Sequence, residues 1–205
     1  DVYKRQIIGI DNDALKLFNY EIQEELKGQI GNKFKIDDVS QFVPSLSVYG
    51  LNALGIKGKN NFKDRTIILG TASLIMASTV AGMKKLTAIE RPDGSDKFSF
   101  PSGGTATAFM GAEFLFQEYK DISIWYGISG YLVATGTGFL RMYNNRHWFT
   151  DVVTGAGIGI LSTKIAYWIH PLVKKTLFKD KKEISGLVMP FYNGKEYGLG
   201  LSMSF

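Results

Sequence analysis

The chain has 205 residues, 45% of them hydrophobic and 21% charged, with a net charge of +5. That length fits one domain with at most a short appendage, and the apolar content excludes a disordered chain. Cysteine is absent, which excludes disulfides, thiolate nucleophiles and cysteine-ligated metal, and the two histidines, His147 and His170, are too few for a multi-histidine metal site.

The chain opens at Asp1 rather than Met, as expected of a fragment or processed product, and DVYKRQ fits nothing that follows. No basic stretch, apolar core and cleavage site in that order marks a signal peptide. Residues 1–36 form an amphipathic segment in which Leu15, Leu17, Phe18, Ile22 and Leu26 predict short surface helices. Over 37–183 the apolar runs become continuous. Phe42 to Ile56 is short and holds Pro44; Thr66 to Met83 has 18 residues without a charge; Gly104 to Phe116 is small and apolar around Glu113. Ile122 to Leu140 has 19 uncharged residues, and Val152 to Ile169 has 18 with only Lys164 charged. Residues 184–205 carry β-type residues on both sides of Asn193-Gly194, which predicts a short C-terminal hairpin with a two-residue turn.

A bilayer-spanning helix needs about 20 apolar residues, with a range of about 17–25. Three segments meet that length and two are marginal, so the expected fold is all-α: a multi-pass membrane helical bundle of about five helices. The competing reading is a soluble bundle of buried helices. Small residues (Gly127, Gly130, Gly136, Gly138, Gly155, Gly157, Gly159) favour close packing in lipid instead. Glu113 and Lys164 fall inside expected spans and are read as paired or snorkelling structural charges rather than as chemistry. Ten basic residues gather on one side: Lys57, Lys59, Lys63, Arg65, Lys120, Lys174, Lys175, Lys179, Lys181 and Lys182. The positive-inside rule makes that side cytoplasmic. The charges thus flank a membrane rather than forming a nucleic-acid surface.

The opposite side carries the chemistry. Lys84 and Arg91-Pro92 come first, then Pro101-Ser102-Gly103-Gly104 opening an apolar helix, then Arg141, His147 and Asp151. A helix start with unpaired N–H groups makes an anion site, and glycine lets backbone approach a phosphate closely. Three fixed cations can stabilise the charge on a transferring phosphoryl group. His147 and Asp151, at i and i+4, share a face on a helical turn, where the carboxylate can orient the imidazole for nucleophilic attack. A basic cradle without a carboxylate cluster implies no metal, and no cofactor is implied.

Lys84 to Pro92 (KKLTAIERP), Pro101 to Gly104 (PSGG) and Leu140 to Asp151 (LRMYNNRHWFTD) together resemble the three-part signature of the type 2 phosphatidic acid phosphatase superfamily. That superfamily includes lipid phosphate phosphatases, bacterial acid phosphatases and vanadium haloperoxidases. The resemblance implies hydrolysis of a lipid phosphate or diphosphate monoester through a phosphohistidine formed on His147 and oriented by Asp151. Phosphate would be held by Lys84, Arg91, Ser102, Gly103 and Arg141. It further implies an inner-membrane protein with its active site facing the periplasm, and a phosphorylated lipid as partner. Two positions depart from the pattern. Leu140 stands where the family has serine, and Gly104 stands where the family has the histidine that protonates the leaving group. Loss of a general acid costs about 10²–10⁴ in rate. The alternative function is a catalytically degenerate membrane protein that binds phosphate or phospholipid without turnover.

Overall fold

The structure is a computed structural model that describes residues 13–27, 36–177, 185–192 and 197–204. The opening DVYKRQ and the Asn193-Gly194 turn lie outside the described residues. Seven helices are present: α1 (Asp13–Lys27), α2 (Asp37–Ser40), α3 (Val43–Ala53), α4 (Phe62–Thr87), α5 (Gly103–Tyr119), α6 (Ile124–Tyr143) and α7 (Phe149–Leu177). The expected count of about five is therefore corrected to seven among the described residues. The five apolar runs each carry one helix. α1 and the single turn of α2, which starts on the acidic pair Asp37 and Asp38, account for the other two. Acidic residues in a first turn favour helix entry by opposing the positive end of the helix dipole.

Helix starts follow local chemistry. Asn61 caps α4 by accepting from the Asp64 N–H at 2.9 Å, Ser102 caps α5 from the Thr105 N–H, and Ser123 caps α6 from the Trp125 N–H. Pro44 sits in the first turn of α3, where its missing N–H costs nothing.

Two helices are long and apolar enough to cross a bilayer: α4 over Phe62–Thr87 and α7 over Phe149–Thr176. α6 has 20 residues, but its glycine, serine, threonine and tyrosine content dilutes the expected third span. Only 22% and 28% of the two apolar windows are buried, whereas the core helix of a soluble bundle is mostly covered. Leu74, Leu132, Leu161 and Trp168 point outward. Such faces belong in hydrocarbon, and the protein is a membrane protein.

In lipid there is little hydrophobic drive between helices, so association rests on close packing. α5 is the most enclosed helix, with Ala106, Met110, Phe114 and Leu115 buried against Ile68, Ala72, Met76 and Val80 of α4. α7 approaches α5 so closely that a Cβ on Gly155 would lie 2.5 Å from the Ser102 carbonyl, and one on Gly159 would lie 2.3 Å from the Ala106 carbonyl. Gly155 and Gly159 of α7 therefore serve backbone contact, whereas a Cβ on Gly157 would meet nothing within 4 Å.

Charges inside this bundle are matched. Glu113 accepts from Gln117 Nε2 at 2.6 Å and from the Tyr131 hydroxyl, while Lys164 is exposed. Arg65, expected among the loop cations, is instead 1% exposed within α4. Its Nη2 donates to Asn52 Oδ1 at 3.0 Å and to the Asn60 carbonyl, and its Nε lies 4.0 Å from Glu118 Oε2.

The chain divides into two compact units, Asp1–Trp168 and Ile169–Phe205. The division falls inside α7. In the second unit, β1 (Ser185–Tyr192) pairs antiparallel with β2 (Tyr197–Ser204), from Ser185 opposite Ser204 to Tyr192 opposite Tyr197.

Candidate active site

Alternating helix directions bring the C-terminal ends of α4 and α6 to the same end of the bundle as the N-terminal ends of α5 and α7. Lys84 lies in the last turn of α4, where a cation opposes the negative end of the dipole, and its Nζ donates to the Phe98 carbonyl. Ala88 ends α4 with a positive φ of 47°, turning the chain into the segment that carries Arg91. Arg91 Nε lies 2.8 Å from Asp96 Oδ1, and the same oxygen accepts from the Phe98 N–H at 2.8 Å. Asp96 stays below the usual carboxylate range: its desolvation is outweighed by that N–H and by the Arg91 guanidinium.

Asp151 is the most constrained residue of the site. It lies in the first turn of α7, and its Oδ2 reaches back to the Trp148 N–H at 2.9 Å, the reciprocal half of a capping box. The Ser99 hydroxyl donates to the same oxygen, and the Asp151 carbonyl accepts from the Ser102 N–H at 3.0 Å. One residue therefore ties the start of α7 to the start of α5.

His147 does not share a helical turn with Asp151, as the i, i+4 spacing suggested. It lies ahead of α7, in the segment that follows Asn145 at φ 62°. Its Nδ1 nevertheless comes 3.4 Å from Asp151 Oδ2, within ion-pair range but short of hydrogen-bond geometry. The imidazole is 3% exposed. Burial pushes it below the ordinary histidine value; Asp151 opposes that fall, and the Lys84 and Arg91 cations add to it. The ring is therefore neutral at neutral pH, the state a nucleophilic imidazole requires.

The structure thus brings Lys84, Arg91, Ser102, His147 and Asp151 to one end of the bundle. Gly103 and Gly104 form the first turn of α5 there, Gly103 facing Val80 of α4. Arg141 arrives in the last turn of α6, engaged by a partner that sequence reasoning did not find. Its Nε is 3.2 Å from Asp37 Oδ2, and its Nη1 is 3.1 Å from Asp38 Oδ1. It also packs on Gly104, where a Cβ would lie 2.7 Å from Arg141 Nε. Ser99, Trp148, Asp96 and the two acidic residues of α2 are the additions that folding makes. An acidic pair at a helix start was visible at 37–38, but nothing local linked it to an arginine 104 residues away. Among the described residues no group of three or more His, Asp or Glu is arranged to hold a metal.

Known proteins resemble this chain in sequence and fold. A family described as the PAP2 superfamily matches residues 77–175, a span containing all three motifs. The lipid A 1-phosphatase of Porphyromonas gingivalis is 37% identical over 174 residues, covering 80% of this chain and 39% of that protein. The chain therefore spans about two fifths of the length of that curated relative. Among solved structures, Aquifex aeolicus LpxE matches with a TM-score of 0.57 and 24% identity, over 74% of this chain and 95% of that one. The transmembrane PAP2-type phosphatidylglycerolphosphate phosphatase of Bacillus subtilis matches with a TM-score of 0.50 and 19% identity, over 82% and 92%. Those two likenesses speak to fold alone, while the family match places the PAP2 superfamily's pattern, with all three motifs, on residues 77–175 of this chain.

Proposed function

We propose that this protein hydrolyses a lipid phosphate or diphosphate monoester through a phosphohistidine on His147. The observation that carries the proposal is the buried imidazole 3.4 Å from Asp151, at the end of the bundle where Lys84, Arg91, Arg141 and the α5 N-terminus converge. The phosphate would rest on these cations and on the backbone N–H groups that follow Ser102, which offset charge on its oxygens. The free imidazole nitrogen of His147 attacks phosphorus, and Asp151 stabilises the imidazolium that forms. The P–O bond to the leaving group breaks, and water then releases phosphate from His147. The basic residues at the far side favour a site on the extracytoplasmic face of an inner membrane.

Gly104 is the weak point of this chemistry, having no side chain to protonate a leaving oxygen. Alkyl phosphates should suffer by about 10²–10⁴ relative to a member that has the acid, and aryl phosphates or diphosphates much less. Measuring phosphate release from one aryl and one alkyl lipid phosphate tests this. An aryl-to-alkyl rate ratio like that of an ordinary Pro-Ser-Gly-His member would refute it. Replacing Gly104 by histidine is not a simple repair, since any Cβ there presses on the Arg141 guanidinium.

The second reading, a phosphate or phospholipid binder without turnover, is favoured by one observation: the acidic pair that already occupies Arg141. Phosphate binding without any release, in wild type and His147→Ala alike, would establish it over the hydrolase.

A further inference from the structure

Arg141 carries five N–H donors in a rigid fork, and α2 meets that fork at two different depths. The inner contacts come from Asp37, whose Oδ2 forms an ion pair with Nε at 3.2 Å without hydrogen-bond geometry and whose carbonyl accepts from Nη2 at 3.1 Å. The Asp37 side chain is 1% exposed and that of Arg141 is 8% exposed. The outer contact comes from Asp38, whose Oδ1 lies 3.1 Å from Nη1, yet whose side chain is 45% exposed. Asp38 has a second cation in reach, Arg146 Nη1 at 3.7 Å. Beneath the fork is Gly104, where a Cβ would come 2.7 Å from both Nε and Nη2. The guanidinium therefore occupies the space that a side chain at position 104 would fill.

We propose that α2 divides Arg141 between two carboxylates of opposite consequence. Asp37 is a positioning residue that seats the guanidinium on Gly104, whereas Asp38 holds the place of the substrate's phosphate on the outer edge of the fork and yields it on binding. This rests on the phosphate cradle proposed above. Breaking a buried ion pair is strongly unfavourable, so Asp37 stays. A half-exposed pair is worth little, and a phosphate meets a guanidinium with two charge-assisted hydrogen bonds. Asp38 released from Nη1 keeps Arg146 as its partner. The device makes phosphate compete with an internal anion, which disfavours weakly charged ligands at Arg141.

The two carboxylates are separable by titrating the detergent-purified full chain calorimetrically with inorganic phosphate. Asp38→Asn should bind phosphate about three- to tenfold tighter than wild type, and Asp37→Asn about tenfold weaker. In an Arg141→Ala background Asp38→Asn should no longer tighten binding, because its effect runs through that guanidinium. General damage to the fold cannot produce tighter binding, and Asp38 is exposed enough that its variant folds even where Asp37→Asn does not. Unchanged or weaker binding in Asp38→Asn would overturn the assignment, as would tightening that persists without Arg141. Tighter binding in Asp37→Asn would overturn the positioning role. Phosphate that binds but is never released from an ester would defeat the hydrolase reading alone. No phosphate binding by wild type or by Asp38→Asn would defeat the cradle and this assignment together.

Discussion

Two buried arginines stand at opposite ends of the bundle and are held differently. Arg65, near the start of α4, faces Glu118, whose oxygens are saturated by the Asn60 N–H at 3.0 Å, Asn60 Nδ2 at 2.6 Å and the Tyr167 hydroxyl at 2.6 Å. Arg141, at the end of α6, faces Asp37, whose carboxylate accepts no hydrogen bond, and the half-exposed Asp38. A saturated partner makes a fixed joint, because every donor and acceptor would have to be replaced at once. On the assignment proposed above, buried Asp37 keeps the inner edge of the guanidinium in place and the half-exposed Asp38 leaves its outer edge exchangeable. The same residue type, buried to a similar degree, thus serves architecture at one end and, on the proposal above, ligand exchange at the other.

Breaking that contrast at the site end should give the largest effect. His147→Ala is expected to lower phosphate release at least about a thousandfold with the protein still folded, as loss of a nucleophile does. Release that survives in the purified variant would remove His147 from the mechanism. At the other end, Arg65→Ala leaves the Glu118 charge buried and uncompensated and should cost about 3–5 kcal/mol of stability. A thermal melt in detergent reads that loss, while turnover per folded molecule stays near wild type. An activity loss larger than the folded fraction explains would mean that the two ends are coupled.

The pH dependence sharpens the comparison further. Because burial lowers the His147 value below about 6.5, the unfolded chain binds a proton there more readily than the native one. The contribution of this group to stability is complete above that pH and is lost as pH falls toward the folded value. Activity should therefore hold through pH 6.5 and fall only below it. Asp151→Asn removes the contribution that raises the His147 value, so its acid limb should move lower still. A limb above 6.5 in wild type would contradict the buried neutral ring. The smallest effect belongs to the cap of α4: Asn61→Ala should cost about 1 kcal/mol in the same melt, without changing the pH profile.

The sequence made the candidate site legible because its three motifs lie at fixed spacings within single turns and helix starts. Lys84, Arg91, Ser102, His147 and Asp151 could all be marked from local pattern. The apolar runs marked the helices for the same reason: hydropathy is a property of a segment, not of its neighbours. Burial of a charge is not local. Arg65 reads as one more juxtamembrane cation until Glu118 and Asn60 are seen around it. Asp37 and Asp38 read as a solvated helix start until α6 brings Arg141 to them. The sequence also offered Gly104 only as a missing acid. The fold shows it as the floor under a guanidinium, a role that depends on three helices meeting and that no spacing along one chain encodes.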